Sequence, residues 1–127
     1  MKFSTIILVT SLIASGNTLA AEKHIHNDDH KPMHGGIVVE SKDIDFELVA
    51  KPDLLQLYLR DHGKPMDISK VAAKITLLAG TEKQDVELKP AGNRLEAKGQ
   101  FKVSAGTKAV AQVSIAGKSS SARFVLK

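Results

Sequence analysis

From Ile37 onward, apolar residues recur at every second position in short runs, the period of strands with one buried face. Ile44, Phe46, Leu48 and Ala50 alternate with Asp43, Asp45, Glu47 and Val49 until Pro52-Asp53 breaks the run. Leu55, Leu57 and Leu59 then alternate with Gln56, Tyr58 and Arg60. Asp61-His62-Gly63-Lys64-Pro65 reads as a turn, because Gly supplies positive φ and Pro presets the backbone. Further strands are marked by Ile75 and Leu77, by Val86 and Leu88, and by Leu95 and Ala97, with Phe101 and Val103 after Gly99. Ala109, Ala111, Val113 and Ile115 form the longest run, and Ala122, Phe124 and Leu126 close the chain. Only Ile68 to Lys74 has room for a short helical turn.

Seven or eight short strands at roughly ten-residue spacing predict an all-β fold, an antiparallel β-sandwich over residues 37–127. An Ig-like topology is the commonest way to satisfy the pattern, and a small Greek-key barrel gives the same string. Phe46, Phe101 and Phe124 are the large core fillers, with Leu57 and Val113 among their neighbours. Asp43, Asp45 and Glu47 share the opposite face of their strand, where alternating acids read as solvated.

Ahead of this pattern the chain has a different character. Met1-Lys2 gives a basic start, Phe3 to Ile13 is mostly apolar, and small residues lead to Thr18-Leu19-Ala20-Ala21. That order predicts a secretory signal peptide over residues 1–20, cleaved after Ala20. Its apolar part is too short and interrupted to span a bilayer, and no later segment approaches that length. About a hundred residues then remain, enough for one small domain. Residues 21–36 are polar and lack apolar periodicity, so they predict an arm that is mobile until it captures a ligand.

Composition narrows the chemistry. Cysteine is absent from all 127 residues. Disulfides, thiolate zinc sites and cysteine nucleophiles are therefore excluded, and a metal must be held by His, Met, carboxylate or backbone donors. The net charge of +4 comes from lysines interleaved with acids, and aromatic residues make up only 4%. With no basic block and few rings to stack on bases, nucleic-acid binding has no support.

What stands out is His24-Ile25-His26-Asn27-Asp28-Asp29-His30-Lys31-Pro32-Met33-His34-Gly35-Gly36, which gathers four of the five histidines. Imidazole is a common ligand for Zn and Cu, and thioether sulfur suits Cu(I). His24, His26, His30, Met33 and His34 are thus candidate ligands for a Cu or Zn ion, with Asp28 and Asp29 as added oxygen donors. His24 and His26, two apart, point the same way in an extended segment, whereas Pro32 interrupts any helix through His34. Cleavage after Ala21 instead of Ala20 would start the chain Glu22-Lys23-His24, whose amine, amides and imidazole suit square-planar Cu(II) or Ni(II). His62 in its turn is a further candidate ligand, and Met66 is either a Cu(I) donor or a packing residue.

Two segments carry a resemblance. Pro32-Met33-His34-Gly35-Gly36-Ile37-Val38-Val39-Glu40 with Asp45-Phe46-Glu47-Leu48-Val49, and Leu57-Tyr58-Leu59-Arg60-Asp61-His62-Gly63-Lys64-Pro65-Met66, resemble small periplasmic proteins of Gram-negative bacteria. Such proteins accompany heavy-metal efflux systems, and similar His-containing segments occur in the membrane-fusion subunits of cobalt–zinc–cadmium and copper exporters. The resemblance runs from His34 to Leu126. It implies a periplasmic location, His34 and His62 as metal ligands, and an efflux membrane-fusion subunit as partner.

The expected function is a monomeric or weakly dimeric metal-binding protein that buffers Cu or Zn or delivers it to an efflux system. The chain is not expected to be an enzyme. A metallohydrolase wants three fixed ligands, an open position and a held general base, which histidines in an arm do not supply. The alternative is an Ig-like adapter module of an envelope assembly with an incidental His-rich tail.

Overall fold

Tight two-residue turns shape the molecule. The computed structural model describes residues 31–127, so residues 1–20, expected as a leader, and His24, His26 and His30 lie outside the described residues. Strand β1 (Ile37–Ser41) turns through Lys42 (φ 51°) and Asp43 (φ 64°) into β2 (Ile44–Lys51). Positive φ at both central residues is the turn geometry whose twist matches antiparallel strands. The same geometry recurs at His62 and Gly63, between β3 (Leu54–Asp61) and the two-residue β4 (Lys64–Pro65). It appears again at Ala116 and Gly117, between β8 (Lys108–Ile115) and β9 (Lys118–Val125).

Three more strands complete the set: β5 (Ala72–Ala79), β6 (Glu82–Ala91) and β7 (Arg94–Lys98). Every pairing is antiparallel, in the order β1-β2-β3-β7-β6-β5-β8-β9, with β4 added to β3. Long β6 joins the two halves, pairing with β5 up to Leu88 and with β7 from Lys89 to Ala91. The terminal strands β1 and β9 come side by side without a hydrogen-bonded ladder, so the sheet curls almost closed. The predicted antiparallel all-β, sandwich-like fold is the observed one.

The apolar alternation fills the interior as expected. Phe46, Leu57, Val113 and Phe124 are each at most 2% exposed, in one cluster with Ile75, Leu77 and Leu95. Two local expectations change. Ile68 to Lys74 makes no helix: Val71 N–H closes a turn on the Ile68 carbonyl, and Ala72 already belongs to β5. Phe101 is buried but stands outside any strand, with its N–H bonded to the Pro52 carbonyl, so burial came from a loop crossing the core.

Candidate functional site

Strands alternate their faces, so the residues that leave Phe46, Leu48, Leu57 and Leu59 in the core put Asp45, Glu47, Tyr58 and Arg60 on the other side. Register sets Glu47 directly beside Tyr58 and Asp45 beside Arg60. This second face is not solvated as the sequence suggested. Asp45 is 2% exposed, Glu47 0%, Arg60 3% and Tyr58 9%. The segment before β1 lies over Glu47, Tyr58 and Arg60.

That segment is held by one carboxylate. The Met33 N–H donates to Glu47 Oε1 at 3.0 Å, and the N–H groups of His34 and Gly36 donate to Oε2 at 2.7 and 3.0 Å. His34 Nδ1 lies 3.0 Å from Oε1. A loop that turns successive N–H groups inward makes a concavity for an anion, here filled by the chain's own side chain. Burial pushes the Glu47 carboxyl up. The His34 ring and the backbone N–H groups of Met33, His34 and Gly36 together outweigh it and hold the group below its ordinary value. Glu47 is therefore an ionised acceptor, and His34 Nδ1 must be the donor.

The imidazole is fixed in a second way. Its ring stacks on Tyr58 with centroids 3.5 Å apart and planes 5° from parallel. One strand partner thus meets the ring edge and the other its face. Farther along, the Arg60 guanidinium donates from Nη2 to the Lys31 carbonyl at 2.9 Å, while its buried Nε has no hydrogen-bond partner among the described residues.

The two glycines of the loop serve different needs. Gly35 has φ +75°, which L side chains adopt at a cost, and faces open space. A Cβ on Gly36 would stand 2.4 Å from the Leu48 carbonyl oxygen, so only glycine lets the chain pass this close to β2.

The expected ligands therefore divide. His34 is docked, with its side chain about one-third exposed at 34%. Met33 beside it is 67% exposed. His62 sits apart in the β3–β4 turn, 79% exposed and paired with neighbouring Asp61, and histidine there is also one of the residues that tolerate positive φ. Met66 packs against the core and donates its N–H to the Leu59 carbonyl, a packing residue. His24, His26 and His30 fall outside the described residues. Among the described residues no group of three or more His, Asp or Glu is arranged to hold a metal.

The expectation of a mobile arm changes for its last residues. Lys31 to Gly36 are tied to the domain, because Glu47 and Arg60 satisfy backbone groups that water would otherwise hold. Glu47 and Tyr58 are the residues that sequence reasoning missed. A signal existed: a Gly-Gly pair at a strand entrance marks close backbone approach, and a Tyr and an Arg on a face assigned to solvent invite a cover.

A cavity of about 590 Å³ opens elsewhere, across β5, β8 and β9 between Lys42, Lys74 and Ser119 to Ser121. It has no imidazole or thioether in its walls and is unconnected with the chemistry around His34. No helix among the described residues is long and apolar enough to cross a membrane. No family model, curated protein or solved structure matches the chain.

Proposed function

We propose that this is a periplasmic metal-binding protein that buffers Cu- or Zn-type ions or delivers them to a heavy-metal efflux system. The observation that carries the reading is the docking of His34. It stands where the His-rich segment joins the domain, clamped by Glu47 and Tyr58 yet about one-third exposed. An imidazole held in one orientation loses little freedom on ligating a metal, so one donor of the set is preorganised. The domain contributes that single fixed ligand, and Met33 is an exposed donor next to it. His24, His26 and His30 are the residues that would complete the coordination. The ion is cargo in this reading. A site completed by ligands that must be ordered binds reversibly, as transfer requires.

A second reading is favoured by one observation: the His34 ring already has a partner at Nδ1 and another on one face, and the described residues form no metal cluster by themselves. The same contacts would latch a chain terminus onto an adapter module. Deleting residues 21–30, which leaves the docked loop intact, separates the two. The carrier reading expects lost zinc and copper tolerance in the producing cell and a lower metal content in the purified protein. Unchanged tolerance and content would leave the adapter.

A further inference from the structure

We propose that Glu47 is a positioning residue for metal capture: by accepting the Nδ1 proton of His34 it holds the neutral ring in the form whose Nε2 carries the lone pair, and so makes His34 a ligand for divalent cations such as Zn(II). This rests on the metal-binding reading above. Neutral imidazole carries its proton on one nitrogen, and the other nitrogen is the ligand. In free histidine the two forms coexist, so a partner at one nitrogen decides which nitrogen is left to ligate. Here the choice is made by geometry. Oε1 lies 3.0 Å from Nδ1 and already accepts the Met33 N–H, while Oε2 accepts the N–H groups of His34 and Gly36, so both oxygens are placed as acceptors and the ring nitrogen facing them is placed as a donor. Among the described residues no group hydrogen-bonds Nε2, and the Tyr58 ring beneath the imidazole stops it from turning over. A carboxylate on the distal nitrogen of a ligating histidine fixes its orientation and raises the basicity of the nitrogen that binds.

Glu47 itself is not a ligand in this arrangement. Each of its oxygens already accepts two hydrogen bonds, from Met33 N–H and His34 Nδ1 on one and from His34 N–H and Gly36 N–H on the other. Direct coordination would strip donors from a buried group.

The substitution Glu47→Gln gives a sharp test, because the amide offers one acceptor oxygen where four donors converge. With that oxygen toward the His34 and Gly36 N–H groups, the amide NH2 faces Nδ1. The ring must then accept at Nδ1 and carry its proton on Nε2, which inverts the ligating form. The experiment is long-range 1H–15N correlation on the 15N-labelled protein at neutral pH, with and without Zn(II), for the parent, Glu47→Gln and Tyr58→Leu. The parent is expected to show His34 protonated at Nδ1, with Zn(II) moving its Nε2 resonance. Glu47→Gln is expected to show the proton on Nε2 and to bind Zn(II) about 10- to 100-fold more weakly. Tyr58→Leu, which leaves the carboxylate in place, is expected to keep the parent form of the ring.

Several results would overturn the proposal. A His34 proton on Nε2 in the parent would do so with no variant needed. So would Glu47→Gln with an inverted ring but Zn(II) affinity within about twofold of the parent, or Tyr58→Leu inverting the ring as fully as Glu47→Gln. If Zn(II) moves other histidines and leaves His34 untouched, the role of Glu47 falls while the metal-binding reading stands. If no histidine responds to Zn(II) or Cu(II), both fall together.

Discussion

Replacing Gly36 by alanine tests the docked loop at its tightest point. The added Cβ would meet the Leu48 carbonyl oxygen at 2.4 Å and its carbon at 2.9 Å, and both are backbone atoms of β2 that have little room to move. Ordinary contact requires roughly 1 Å more, so the loop must lift by about that distance. Gly36 N–H, now 3.0 Å from Glu47 Oε2, is then carried beyond hydrogen-bond range. Loss of one bond to a charged acceptor costs about 1.5–3 kcal/mol, and the overpacking adds about 1–3 kcal/mol. The total, about 2.5–6 kcal/mol, is capped by the docking energy of the loop, because the segment can peel into water when the strain exceeds it. Gly35→Ala is the matched control. It meets no atom within 4 Å and carries only the cost of φ +75°, about 1–2 kcal/mol. Tyr58 is the sole tyrosine of a chain without tryptophan, so its emission reports His34 docking directly. Urea unfolding followed by circular dichroism gives the global stability, and Tyr58 emission without urea gives the loop. Gly36→Ala within about 1 kcal/mol of the parent with unchanged Tyr58 emission, or a larger effect at Gly35, would refute the reasoning.

Acid should release the loop before it melts the core. The folded Glu47 carboxyl titrates below its ordinary value, so its contribution to stability is complete above that ordinary value and is lost as pH falls through the lowered one. Tyr58 emission is therefore expected to change at higher pH than the far-ultraviolet dichroism, and coincident transitions would contradict the assignment. In the core, Phe124 is 2% exposed and pairs in register with Ala109, so Phe124→Ala should cost about 3–5 kcal/mol in chemical denaturation, and a loss below about 1 kcal/mol would be incompatible with its position.

The strands were legible because period-two alternation survives wherever one face is buried: Ile44 to Ala50, Leu55 to Leu59 and Ala109 to Ile115 all read correctly. What that pattern leaves open is the fate of the second face. Asp45, Glu47 and Arg60 are polar, so the alternation assigned them to water, yet all three are buried, and the return of Lys31 to Gly36 brings backbone partners onto Glu47 and Arg60. Phe101 shows the converse, an apolar residue buried from a loop, where alternation has no meaning. At the site, His34 was legible as chemistry from its neighbours in sequence. Its partners Glu47 and Tyr58 lie 13 and 24 residues away, and no local rule connects them. His62 stands in a turn with positive φ, a conformation histidine tolerates, so backbone geometry is a second account of a histidine there.

The most direct test of the central claim is calorimetric titration of the protein with Zn(II) and Cu(II), run beside His34→Ala. Alanine removes the docked imidazole and leaves His24, His26, His30 and His62 in place. The account predicts saturable binding by the parent and a loss of about 10-fold or more in affinity for the variant, since losing one of a few protein ligands or its support weakens a metal site by that order. Identical isotherms for the parent and His34→Ala would contradict it.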